Sequence, residues 1–200
     1  MEPTVIFRDF EERDIDFIYR CKNDEKLNSM IVGQYHPFTY EEATDWVHGC
    51  MGEHETYKFW AIATNDEEQR IVGWVSLSNI DNMNKSACFH GIVIGDNDYN
   101  DGMAWIEAYN FILYYVFDVL NFHRLFGNNL LTNKKSHIIA SACFFVNSGI
   151  SRDALCVKGV YYDIENYDLL DQEYYYHKQN NDYEIYNIID RILKLSKKNN

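Results

Sequence analysis

Three apolar runs in close succession, YKFWAIAT (57–64), IVGWVSLSNI (71–80) and SACFHGIVIG (86–95), constrain this chain more than any other feature. The polar turn NDEEQR between the first two reads as a hairpin, and the third run extends the meander. A strongly apolar helix follows in MAWIEAYNFILYYVFDVL (103–120), and then another strand in HRLFGNNLL (123–131). A sheet that grows first by hairpins and then across a helix has mixed strand directions, and helices must cover it.

The flanking segments fit that plan. TVIFRDF (4–10) has β character, and Ile15, Ile18, Tyr19 and Lys22 recur at helical spacing. Thr39 followed by Glu42 forms a capping box for a second helix with Ala43, Trp46, Val47 and Cys50 on its apolar face. KKSHIIASACFFVNSG (134–149) reads as a short helix ending near Asn147 to Gly149, and DALCVKGVYYDIENYDLL (153–170) as a hairpin turning at Lys158-Gly159. The end of the chain, NDYEIYNIIDRILKLSKK (181–198), is an amphipathic helix with Ile185, Ile188, Ile189, Ile192, Leu193 and Leu195 in its stripe. The expected order is β-α-α-β-β-β-α-β-α-β-β-α, an α/β (α+β) fold. With only Pro3 and Pro37 and no Gly/Ser-rich linker, residues 1–178 are expected to form one domain. Residues 179–200 are then a helical tail packed on that domain or on a partner, and a homodimer is one such arrangement.

A formal net charge of −13 argues against nucleic acid and anionic membranes as partners, because both are bound mainly through Lys and Arg. The five cysteines are widely spaced without a C-x-x-C, which suits a reducing, cytoplasmic setting and thiols buried as small apolar groups. No signal peptide and no bilayer-spanning run is read from the sequence. Glu53, His54 and Glu55 are consecutive and lack ligand spacing, so no metal is expected. The aromatic EYYYHK (173–178) has too few basic neighbours to stack on bases and reads as packing or an interface.

Six phrases in order resemble the GNAT acyltransferase superfamily, and in particular its branch that acetylates ribosomal-protein N-termini and the related amino-sugar enzymes. They are PFTYEEATDWV, IVGWVSLSNID, GIVIGDNDY, YYVFDVLNFHRLFGNNLLTNKKS, the helix NKKSHIIASACFF and NSGISRDALCVKGVYYDIENYDLL, together spanning about Ile6 to Tyr174. The resemblance implies a GNAT-like mixed, splayed central sheet flanked by helices, with acetyl-coenzyme A held in its gap. The amphipathic C-terminal helix is an addition to it. Ile92, Val93 and Ile94 would contact the coenzyme through their backbone, and Gly102, Met103 and Ala104 would receive the pyrophosphate at a helix N-terminus, where free N–H groups favour an anion. Asn133 and Ser136 would also touch the coenzyme, with Lys134 or Lys135 adding charge.

Three positions depart from the pattern. The family's loop carries an Arg or Gln and several glycines, whereas DNDYNDG (96–102) offers Asn100 or, with a one-residue slip, Tyr99 at the Arg. Asp101 stands beside the expected phosphate, where like charges a few ångströms apart repel by roughly 1–4 kcal/mol. Ala140 replaces a Tyr that protonates the departing thiolate, leaving that proton to Tyr109, Ser141 or water. Phe89 replaces a Glu that can act as base toward the amine, and His90 is the neighbouring titratable group, although strand alternation turns it to the opposite face. The expected activity is acetyl transfer to a primary amine, whether a protein N-terminus, an amino sugar or another small amine, with His90 and Ser141 as catalytic candidates. The alternative is a catalytically impaired pseudoenzyme that uses the fold as a binding or assembly module.

Overall fold

The computed structural model describes residues 2–28 and 36–198. In chain order these form β1 (Val5–Arg8), α1 (Ile15–Lys22), α2 (Glu25–Asn28), α3 (Tyr40–Cys50), β2 (Lys58–Thr64), β3 (Ile71–Asp81), β4 (Ser86–Ile94) and α4 (Met103–Tyr114). The chain continues with β5 (Arg124–Leu130), α5 (Lys134–Ala142), β6 (Val146–Val157), β7 (Val160–Leu170), α6 (Asp171–Gln179) and α7 (Ile185–Lys198). The sheet has seven strands in the order β1-β2-β3-β4-β5-β7-β6. The hairpins β2/β3 and β6/β7 and the pair β1/β2, joined across α1 to α3, are antiparallel, and β4/β5, joined across α4, is parallel. This is the mixed, splayed sheet of the expected fold: the β4/β5 ladder runs from Ser86↔Arg124 to Phe89↔Gly127 and goes no further, although β4 continues to Ile94.

The chain forms two compact units, Met1–Ser78 with His90–Ala108, and Asn79–Phe89 with Tyr109–Asn200. In the first, Phe10, Ile15, Phe17, Ile18, Val47 and Trp74 build a core that brings α1 and α3 onto the sheet. The capping box at Thr39 forms, with the Thr39 hydroxyl accepting from the Glu42 N–H at 3.2 Å and the Thr39 N–H donating to Glu42 Oε2 at 2.7 Å. Glu107, buried in α4, accepts from the Thr4 and Val5 N–H groups and the Thr4 hydroxyl, which ties down the start of β1. All four tryptophans, Trp46, Trp60, Trp74 and Trp105, belong to this unit.

In the second unit the structure corrects two boundaries. α5 ends at Ala142 rather than near Gly149, and Val146 already belongs to β6. Phe144 closes the helix at φ +68°, a left-handed conformation costly for an aromatic residue. Its ring is held between His177, stacked at 3.4 Å, and the Arg191 guanidinium at 4.3 Å, contacts that offset the strain. The Tyr-rich segment after β7 is a further helix, α6. Tyr174 stacks on Phe117 at 4.7 Å, donates to Asp118 at 2.5 Å, and so packs as core. α7 lies on α5, where Arg191 donates to the Ala142 carbonyl at 2.8 Å. Of the expected stripe, Ile188 is fully buried, but Leu193 is 56% exposed and is not part of the seam.

Candidate active site

Within the first unit, β4 changes character at Gly91, whose φ of +138° lies in the region that favours glycine. β4 does not alternate: Ala87, Cys88 and Phe89 are buried in a row, His90 is exposed, and beyond Gly91 Ile92, Val93 and Ile94 are again buried one after another. Any contact these three make with a ligand is therefore through the backbone. Neighbouring β3 approaches closely enough that a Cβ on Gly73 would strike the Val93 carbonyl.

In the acidic loop that follows, the carboxylates of Asp96 and Asp101 are engaged. Asp96 pairs with Arg70 at 2.5 Å and accepts from the Asp98 N–H at 3.0 Å. The loop sequence lacks a cation, but the residue just before β3 supplies one, and nothing in the local sequence signals that pairing. Asp101 Oδ1 accepts from the Met103 N–H at 2.9 Å, so a side chain already occupies the first donor of α4. Gly102 makes the turn at φ +105°, and Asn100 accepts from the Trp105 indole N–H at 3.2 Å. Ala104 is a core residue and can offer only its N–H, while Met103 is half-buried.

His90 has its pKa lowered from 6.5, first by desolvation and then by the charge of Lys22. Its surface is open, yet enough protein surrounds the ring to disfavour the imidazolium. Lys22 itself sits in an aromatic box, its ammonium 4.4 Å from the Trp46 ring and 5.3 Å from both Phe38 and Trp74. Burial pulls the Lys22 pKa down as well. His36 is an exposed loop residue 3.3 Å from Glu42 of the capping box.

Within the second unit, Asn133 caps α5 by accepting from the Ser136 N–H at 3.2 Å. Lys134 and Lys135 are exposed on the first turn, and Ser136 is half-buried. Ala140 is 4% exposed, and Phe89 packs edge-on against Tyr109 at 4.9 Å as part of the core. Burial raises the pKa of the Tyr109 phenol well above its usual value and pushes the Cys143 thiol up to about 12. Ser141 lines a small pocket with His137, Ala140, Phe145, Asn147, Glu165 and Tyr167. His137 Nδ1 lies 2.7 Å from Glu165 Oε2, and Asn147 Nδ2 donates to the other carboxylate oxygen. Sequence reasoning missed this cluster, since α5, β6 and β7 each contribute a member and no spacing connects them. Among the described residues, no group of three or more His, Cys, Asp or Glu could hold a metal, and no helix is long and apolar enough to cross a membrane.

The family model for the acetyltransferase (GNAT) domain matches residues 4–146, well over half of the chain. The chain belongs to the GNAT acetyltransferase family. The spermidine N(1)-acetyltransferase of Vibrio cholerae is 23% identical over 174 residues, covering 87% of this chain and 97% of that protein. The crystal structure of the Vibrio cholerae spermidine N-acetyltransferase in complex with CoA and spermine superposes with a TM-score of 0.74 at 21% identity, covering 86% of this chain and 98% of that one. A GNAT-family acetyltransferase from Bacillus anthracis gives 0.73 at 20% identity, again over 86% and 98%. The relative whose substrate is named acts on spermidine, so the resemblance holds for the family and not specifically for the ribosomal-protein or amino-sugar branch.

As a GNAT acetyltransferase, the protein is an enzyme that uses acetyl-coenzyme A to acetylate an amine. The α4 N-terminus fits a pyrophosphate in its backbone, with N–H groups at the helix end and a glycine at positive φ just before them. Its side chains oppose one, because Asp101 adds negative charge and engages the Met103 N–H. Asn100→Arg with Asp101→Gly should therefore tighten acetyl-coenzyme A binding at least ~10-fold, about 1.4 kcal/mol, by calorimetry. The gain should shrink as added salt screens the new charge. Unchanged affinity in a folded double variant would show that this loop does not meet the phosphates.

Proposed function

We propose that this GNAT acetyltransferase acts on a primary amine of a small polycation, with spermidine as the representative acceptor. The observation that carries the reading is similarity to a spermidine N(1)-acetyltransferase along nearly the whole of both chains. A net charge of −13 supports it, because an acidic protein raises the local concentration of a small, mobile polycation.

In this reading the backbone at Ile92, Val93 and Ile94 and the helix start at Gly102, Met103 and Ala104, where Asp101 competes for the Met103 N–H, hold acetyl-coenzyme A. The N–H near Val93 polarises the acyl carbonyl, and alignment of acyl group and amine supplies much of the rate. The amine attacks only as its free base. His90 takes that proton on a ring nitrogen, because its lowered pKa keeps the imidazole neutral near pH 7.

The test measures release of free thiol from acetyl-coenzyme A with spermidine, an N-terminal peptide of ribosomal-protein type and glucosamine as acceptors. Spermidine should show the highest kcat/KM by at least about tenfold, equivalent to about 1.4 kcal/mol, and its advantage should fall with ionic strength. The acid limb of the pH profile should lie below pH 6.5, because the neutral form of a histidine with a lowered pKa persists to lower pH. A peptide or amino sugar outperforming spermidine would reject the polyamine assignment and leave acetyl transfer intact.

A further inference from the structure

An ammonium taken out of water needs a counter-charge or hydrogen-bond acceptors to replace its hydration. Lys22, the last residue of α1, has neither: among the described residues no carboxylate and no carbonyl engages its Nζ. Three ring faces take their place, Trp46 at 4.4 Å and Phe38 and Trp74 both at 5.3 Å. Aromatic faces attract a cation most strongly where water is excluded. They do not recover the full hydration of a primary ammonium, a compact and strongly hydrated charge, and burial accordingly lowers the Lys22 pKa.

The box is built independently of its occupant. Trp46 meets Phe10 at 5.6 Å, Phe59 at 5.4 Å and Trp74 at 5.7 Å, each time edge-on. Phe10 and Trp74 are themselves core residues, 2% and 5% exposed. These contacts hold the walls in place whether or not Lys22 is inside, so a ligand finds a preorganised cage. Lys22 is only half-buried, and its flexible stem lets the head group reach water by rotation about side-chain bonds. Phe38 is half-buried too, so one wall of the box borders solvent.

We propose that the Phe38–Trp46–Trp74 box is a binding site for an alkyl-substituted ammonium ion, with Lys22 as its exchangeable internal occupant. Alkyl groups on the nitrogen spread its charge and weaken its hydration, so such an ion loses less on leaving water and covers more of the rings. As it enters, the Lys22 side chain swings out and regains its own hydration. Lys22 and the three rings lie in the first unit with His90, whose titration feels the Lys22 charge. The exchange therefore replaces one cation by another within electrostatic reach of His90. The inference goes beyond acetyl transfer and does not depend on which amine accepts.

The test uses the full-length protein without acetyl-coenzyme A, with choline as the probe. Its control is the neutral analogue of choline that has carbon in place of nitrogen. In the unaltered protein, choline should speed labelling of Lys22 by an amine-reactive ester severalfold, read by peptide mass spectrometry, while the other lysines stay level. Sodium chloride at equal ionic strength, and the neutral analogue, should leave Lys22 protected. Lys22→Ala should bind choline at least about tenfold tighter than the unaltered protein, followed by tryptophan emission. Adding Phe38→Leu should take back part of that gain, since leucine keeps apolar bulk without the ring face. Lys22 labelling that choline leaves unchanged would overturn the exchange, whatever the Lys22→Ala variant does. Equal choline affinity in the unaltered protein and a folded Lys22→Ala variant, or a neutral analogue that binds as tightly as choline, would overturn the cation site. None of these outcomes bears on acetyl transfer, which the thiol-release assay decides separately.

Discussion

Arg8→Ala should destabilise the protein by roughly 3–5 kcal/mol, the usual result of removing one partner from a buried ion pair. Arg8 grips Asp14 with two parallel bonds of 2.8 Å, and the Asp14 carboxylate, 1% exposed, also accepts from the Glu11 N–H at 2.9 Å. Without the guanidinium, that carboxylate would stay buried with a single amide donor. Arg8 also donates to the Gln69 and Asp9 carbonyls, so the loss extends to the turn before β3. Urea denaturation of the variant should show the midpoint moving down in proportion. Arg8→Met combined with Asp14→Leu should recover most of the loss, because the cost comes from the orphaned charge rather than from the missing attraction. A single variant within 1 kcal/mol of the parent, by the scale expected of exposed pairs, would show that water reaches the pair.

The second large effect is expected at the tail. Ile188→Ala should cost about 2–5 kcal/mol, as for other large-to-small changes at fully buried sites. Leu193→Ala, in the same helix and nominally in the same stripe, should stay within about 0.5 kcal/mol because its side chain is 56% exposed. Parallel denaturation curves of the two variants provide the check. Equal losses would mean that Leu193 is covered in solution, as it would be by a second copy of the chain.

The contrast between these two residues shows what periodicity can and cannot resolve. A repeat of 3.6 finds the apolar face of α7, but which member of the face meets α5 depends on where Arg191 reaches the Ala142 carbonyl and on the ring of Phe144. The order of the elements was legible because each apolar run is bounded by polar turns. α6 was not legible because its anchor, Tyr174, is embedded in a polar, tyrosine-rich segment and buries through stacking on Phe117. The end of α5 was missed because a phenylalanine takes the left-handed position that sequence reading reserves for glycine or asparagine. At the candidate site, the absence of basic residues from the loop at 96–102 could be read directly. The Arg70–Asp96 pair, the Asp101 cap and the His137–Glu165 dyad could not, because each depends on side-chain geometry or on residues distant in sequence.

The placement of the tryptophans gives the molecule a built-in optical asymmetry. All four indoles lie in the unit that contains the acidic loop at 96–102, and Trp105 is bonded to Asn100 of that loop. Light absorbed only by indole therefore reports on one half of the chain, while the other half emits through tyrosine alone. A melt followed by tryptophan emission and by far-ultraviolet dichroism would superimpose if the halves unfold together and separate if they do not. The same emission, read at constant temperature, offers a label-free titration signal for whatever the loop binds.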